Sequence, residues 1–251
     1  MSDIYATPEA DLGNSSASEP AGGSIEDAIA GNIEIGMLET LGEAWRGLKG
    51  FKMKCNIALA LYFLVFLGAA ILFGVVVFAL ASTGADQQVI EILGIVFQLV
   101  ITLVALPMTF AILVMGIRHS CDKSVSAGEV FRHFRRIPSL FLAYVLQTIL
   151  IMLGLMLLVL PGIYLMFAYL YAMPLIVEKK MSAWQALETS RKAVTRVWFR
   201  FFGITWLLSL INMLGLLTLG IAWIWTIPWT ILAYAMIYFK LFGAEANTLA
   251  D

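Results

Sequence analysis

The sequence predicts an all-α membrane protein with six transmembrane helices. Three observations carry that prediction. Of the 251 residues, 61% are hydrophobic and 13% are charged, and the mean hydropathy is +0.90. Soluble domains run at about 45–50% apolar and about 25% charged. Apolar stretches that could cross a hydrocarbon core of about 30 Å recur six times. Finally, fifteen of the sixteen Lys and Arg residues fall in alternate intervals between those stretches, and the sixteenth, Lys240, sits at the end of the last stretch on the same side.

The six stretches are residues 55–80, 89–117, 140–160, 163–177, 201–219 and 221–242. The fourth is the shortest, and it is kept because "VLPGIYLMFAYLYAMPLIV" carries no charge. Leu160-Pro161-Gly162 predicts a tight hairpin before it, since Pro fixes φ and Gly permits positive φ. The intervals then alternate sides. The residues up to Lys54, then 118–139 and 178–200 hold four, five and six basic residues, and the last, Lys240, sits at the C-terminal end of the sixth stretch. The opposite intervals, 81–88, 161–162 and about 220, hold none. Basic residues stay on the cytoplasmic side, so both termini are expected there.

Residues 1–45 hold nine acids and no Lys or Arg. "TPEADLGNSSASEPAGGS" is rich in Ser, Gly, Pro and acids, and residues 1–36 are expected to be a disordered acidic cytoplasmic tail. No basic segment followed by an early apolar run marks a cleavable signal peptide. Residues 37–251 form the expected six-helix domain. Two cysteines, Cys55 and Cys121, imply no disulfide framework.

Each basic interval repeats one design. Thr40-Leu-Gly-Glu43, Ser126-Ala-Gly-Glu129 and Ser182-Ala-Trp-Gln185 match the capping box that opens a helix. Leu41, Ala44, Trp45, Leu48 and Phe51 then align with Ala127, Val130, Phe131, Phe134 and Ile137, on one helical face. Arg46 and Lys49 align with Arg132 and Arg135 on another. In the third copy Trp184, Leu187, Val194, Val197 and Trp198 make the apolar stripe, opposite Glu188, Lys192, Arg196 and Arg200. Such helices suit the membrane interface, with the basic face on anionic head groups. The plain alternative is a positive-inside anchor that fixes topology. A proline sits in every second span, at Pro107, Pro174 and Pro228, where it is expected to kink the helix. The fold expected is three parallel pseudo-repeats, about 37–117, 124–177 and 181–242, each an interfacial amphipathic elbow helix plus a transmembrane hairpin.

The run Pro161-Gly162-Ile163-Tyr164, Pro174, Ala186-Leu187 with Ser190, and Trp198-Phe199-Arg200 resembles the YciC-type family of bacterial inner-membrane proteins. It is also similar to the membrane domain attached to some glycerophosphodiester phosphodiesterases. The resemblance covers roughly residues 120–243. It implies a multi-pass protein of the bacterial inner membrane and carries no particular reaction. Nothing here could supply the phosphodiesterase's soluble catalytic domain.

The residues expected to matter follow from this reading. Arg46, Lys49, Arg132, Arg135, Arg136, Lys192, Arg196 and Arg200 are candidate anionic-lipid contacts. Trp45, Phe131, Trp184 and Trp198 are candidate interfacial anchors. Gln98, Gln147 and Asn212 could line a polar pathway, although isolated polar residues in spans more often bond between helices. No span carries a charge in its centre, which counts against a proton-coupled pump. His119, Cys121, His133 and Cys55 fit no metal-ligand spacing, and no metal or cofactor is expected. No nucleophile–base pair appears. The expected role is therefore non-enzymatic contact with, or organisation of, membrane lipids and partner membrane proteins or further copies of the chain, with no nucleic acid. The alternative is a small-solute or lipid carrier or channel along the pseudo-threefold axis.

Overall fold

The computed structural model describes residues 22–245 and Thr248, and every regular element among them is helical. The helices are α1 (Ile25–Ala30), α2 (Met37–Ser82), α3 (Gln87–Ser120), α4 (Ile137–Leu157), α5 (Val159–Ala168), α6 (Ala172–Glu178), α7 (Ala183–Arg196), α8 (Trp198–Leu214) and α9 (Trp223–Phe242). Short 3-10 turns cover Ala127–Phe131, Phe134–Arg136 and Gly215–Thr218. Six helical stretches are long and apolar enough to cross a membrane, with α5 and α6 together making the fourth.

Polar links sit where helix termini need partners. Asp86 accepts the Gln88 N–H at 2.9 Å and so opens α3. Ser182 accepts the Gln185 N–H and opens α7 as expected. Before the Ala127–Phe131 turn, Glu129 accepts the Ser126 N–H at 3.0 Å. The first expected cap is corrected: α2 begins three residues before Thr40, behind Gly36. Thr40 is fully buried and its hydroxyl meets Lys240 Nζ at 3.2 Å.

Three further expectations change. The α4–α5 link is a single extended residue, Leu158 (φ −160°, ψ 141°). Pro161 and Gly162 lie inside the first turn of α5, where a missing N–H breaks no helical bond. Gly162 serves packing instead, because a Cβ there would sit 2.8 Å from the Leu155 backbone nitrogen. The second basic interval forms 3-10 turns in place of an amphipathic α-helix. Gly128, Val130 and His133 are weak helix formers, and Arg132, Arg135 and Arg136 repel one another along it. The tail expected over residues 1–36 is structured where it is described: α1 is capped by Ser24, and Gly23 donates to the Phe239 carbonyl at 3.1 Å. Ala28 and Ile35 are buried against the bundle. Residues 1–21 lie outside the described residues.

The three hairpins differ in size. α2 bends at Lys49–Gly50, where Gly50 takes φ 88°, a conformation glycine reaches without a Cβ clash. Beyond the bend α2 continues to Ser82, and with α3 it forms a hairpin about 50 Å long. Phe73 stacks on Phe97 at 4.1 Å within it, while the outward Phe63, Ile71, Phe78 and Ile95 remain exposed. α4 is about 31 Å long. α9 is inclined: Asn56 Nδ2 donates to the Ile224 carbonyl at 2.9 Å, and Lys52 Nζ sits 4.8 Å over the Trp225 ring. The first turn of α9 thus meets α2 only about 9 Å past its bend. The close α3–α9 contact depends on Gly116, beside the Ala235 methyl. A main core joins the helices and includes the fully buried Met108, Tyr171, Leu175, Phe201, Leu232 and Tyr238, and a small second cluster holds Tyr169, Ala172 and Leu187.

Candidate functional site

The ends of α3, α6 and α9 converge with the 126–136 turns around a buried carboxylate. Glu178 has a side chain with no solvent exposure, and it accepts the Tyr238 hydroxyl at 2.8 Å and the Glu245 N–H. Lys179 Nζ stands 3.7 Å from it and 3.3 Å from Glu245. Arg118, buried at the end of α3, donates to the Thr248 and Ser124 carbonyls and lies 3.6 Å from Glu129.

Beside this knot is a cavity of about 270 Å³, lined by Arg118, Arg132, Arg135, Arg136 and Lys180, with Glu129 and Glu178 among its walls. Both carboxylates have protein partners, as above. The side chains of Arg132, Arg135, Arg136 and Lys180 make no hydrogen bond or ion pair to any described residue. Lys180 also takes φ 56°, the left-handed region that a side chain rarely occupies. Of the eight basic residues expected to contact lipid, the structure brings together Arg132, Arg135 and Arg136.

The other five stand apart from it. Arg46 and Lys49 lie on the first part of α2. Lys192 pairs with Glu188 at 3.3 Å, where Glu188 also holds Arg191 through two bonds and has its carboxyl held low by them. Arg196 donates to the Ile29 carbonyl at 3.0 Å, and Arg200 faces Glu34 at 3.9 Å. The acidic N-terminal segment therefore already occupies part of the α7–α8 basic ridge. Charge counting alone missed Arg118, Lys180 and Glu178 as members of one site. Their shared feature in sequence is position, each at or just past the C-terminal end of an apolar helix.

Among the expected anchors, Trp45, Phe131 and Trp184 are 53%, 46% and 61% exposed, while their helical neighbours Ala44, Val130 and Leu187 are buried. Trp198 is half-buried and stacks on Phe202. Pro107 and Pro228 lie inside continuous helices, and Pro174 lies in the first turn of α6, after α5 stops at Ala168. Gln98 and Gln147 line one cleft of about 570 Å³ between α2, α3, α4 and α5, otherwise largely apolar. Gln147 Oε1 is buried there without a partner among the described residues. Asn212 is elsewhere: it donates to the Leu208 carbonyl and to Thr230 Oγ1 and ties α8 to α9. His119 Nε2 meets the Gly47 carbonyl at 2.9 Å and its ring stacks on Phe51, which pins the bend of α2 to α3.

Comparisons with family models, with curated proteins and with solved structures return no match.

Proposed function

We propose that this chain is a non-enzymatic multi-pass membrane protein that contacts and organises anionic lipid at its basic end. The observation that carries this reading is the exposure of Trp45, Phe131 and Trp184, one per basic interval, beside basic residues and over buried aliphatic neighbours. Amphipathic aromatics favour the depth of the lipid head groups, and nearby Lys or Arg adds about 1 kcal/mol each toward an anionic leaflet. In this reading the 37–48 part of α2, the 126–136 turns and α7 are three interfacial elbows of a pseudo-repeated bundle. Both termini lie in the cytoplasm of a bacterium, consistent with the family resemblance. Among the described residues, the buried Glu178 already serves structural bonds to Tyr238 and the Glu245 N–H. Native mass spectrometry of the purified protein tests the function: phosphatidylglycerol or cardiolipin should be retained in preference to phosphatidylethanolamine. Equal retention of all three would overturn it.

The orientation has its own test. A cysteine replacing Asp86 should react with an impermeant maleimide in intact cells, and one replacing Arg132 only after permeabilisation. The native Cys121 will interfere little. Burial, with Glu178 and Asp122 nearby, pushes its thiol up to about 11. The reactive thiolate is then about 10⁻⁴ of the population at pH 7, near a hundredfold below an exposed cysteine, and labelling should rise about tenfold per pH unit. Labelling of the residue-132 cysteine from outside would invert the topology.

A carrier is the second reading, and the cleft holding Gln98 and Gln147 favours it. Asn212, bonded away between α8 and α9, does not extend that cleft into a path along the axis.

A further inference from the structure

We propose that the cavity between the end of α3, the 126–136 turns and the end of α6 binds a phosphate group, supplied by a phospholipid head group or by free phosphate. The lipid source rests on the function proposed above, whereas the free-phosphate source does not.

Five cations and two carboxylates line about 270 Å³. That is near the lower limit of small-molecule sites, which run from about 300 to 1,000 Å³, and it suits a head-group fragment better than a whole amphiphile. The carboxylates are committed: Glu178 to Tyr238 and the Glu245 N–H, and Glu129 to the Ser126 N–H. The side chains of Arg132, Arg135, Arg136 and Lys180 have no such partner among the described residues. Arg132, Arg135 and Lys180 are exposed and Arg136 is half-buried, and like charges gathered at one concavity repel, a repulsion that a bound anion offsets. A phosphate offers several acceptor oxygens, and guanidinium groups meet them in bidentate, charge-assisted pairs. Arg135 and Arg136 are adjacent in sequence, and the 3-10 turn Phe134–Arg136 carries both to the same cavity.

Lys180 adds an independent sign. A left-handed backbone suits glycine, and a lysine held there carries strain. The chain accepts that strain at the one point after α6 where a side chain reaches the cavity wall. A cation needed by a bound anion accounts for the choice.

The test uses the full-length protein in nonionic detergent, titrated separately with inorganic phosphate and with short-chain phosphatidic acid, with short-chain phosphatidylcholine as the neutral comparison. The variants are R135Q/R136Q, K180G and the charge-matched control K52Q/K54Q, whose residues lie outside both the cavity and the candidate lipid contacts. R135Q/R136Q should weaken phosphate binding at least tenfold, and the control less than twofold. K180G should weaken binding about threefold or more while raising the melting temperature by about 2–4 °C, because glycine relieves the backbone. A merely structural lysine would not separate those two readouts. If inorganic phosphate fails to bind but phosphatidic acid binds with the same variant pattern, the site is confirmed with lipid as its source. If the cavity pair and the control pair weaken binding equally, the attraction is a diffuse surface effect. The cavity proposal is then wrong, and the lipid-contacting function stands. If the wild type binds neither phosphate nor phosphatidic acid above the neutral lipid, both fail.

Discussion

Glu178→Ala should lower stability by about 3–5 kcal/mol, the usual result of removing one member of a buried, charged hydrogen-bond cluster. For a chain of this size that corresponds to an apparent melting temperature in detergent lower by roughly 10 °C. The carboxylate is fully shielded from solvent and joins three separate parts of the chain. It terminates α6, it accepts the hydroxyl of Tyr238 in α9, and it accepts the N–H of Glu245 beyond α9. Truncation strands the buried Tyr238 hydroxyl, at about 1–3 kcal/mol, and frees the partly buried Glu245 N–H, which costs less. Glu178→Gln retains an amide oxygen and should lose only about half as much. The same Gln variant removes a negative charge from the cavity wall, so its phosphate affinity should rise severalfold as its stability falls. Thermal unfolding of Glu178→Ala within 2 °C of the wild type would show that this cluster does not hold the helix ends together.

How far the sequence revealed this fold can be judged from particular residues. Long uncharged runs are strong signals, because few other structures tolerate them, and six membrane-length helical stretches follow directly. Capping at Ser182 was legible for the same local reason, since the acceptor and its N–H are three residues apart. Local reading failed where a distant partner decides the outcome. Thr40 looks like a cap, yet it is buried beneath Lys240, two hundred residues away. Residues 22–36 look like a solvated leader, yet Ile35 and Ala28 find apolar surface and Arg196 binds the Ile29 carbonyl. The basic residues were legible only as a set gathered in the intervals between apolar stretches. Which of them share a cavity depends on the short 3-10 turns at 127–136, and a helical pattern drawn over that interval spreads them along a ridge instead. The inclination of α9 has no local signal at all, because it is set by contacts at Asn56 and Lys52.

The break between α5 and α6 leads to the last expected result. "GIYLMFAYLYAMPLIV" reads as one uninterrupted helix with a kink, but the helix stops at Ala168 and restarts at Ala172. Pro174 explains the local part. It has no N–H to give to the Leu170 carbonyl, and its ring crowds that same carbonyl. A break in a buried, apolar setting leaves backbone groups that water cannot reach, and these need protein partners. Ser190 of α7 supplies them: its hydroxyl donates to the Ala168 carbonyl at 2.7 Å and accepts the Tyr171 N–H at 3.2 Å, at a fully buried position. One side chain thus fills both sides of the gap, which gives Ser190 a structural reason to be a serine. Ser190→Ala should cost roughly 2–4 kcal/mol, as two buried backbone groups lose their partner. The damage should be local: backbone amides of residues 169–172 should exchange hydrogen faster, while those of α3 should not. Ser190→Cys, with a weaker donor of similar shape, should fall between the two. If Ser190→Ala matches the wild type in both melting and exchange, the hydroxyl is not what satisfies the break, and this account of α5–α6 is wrong.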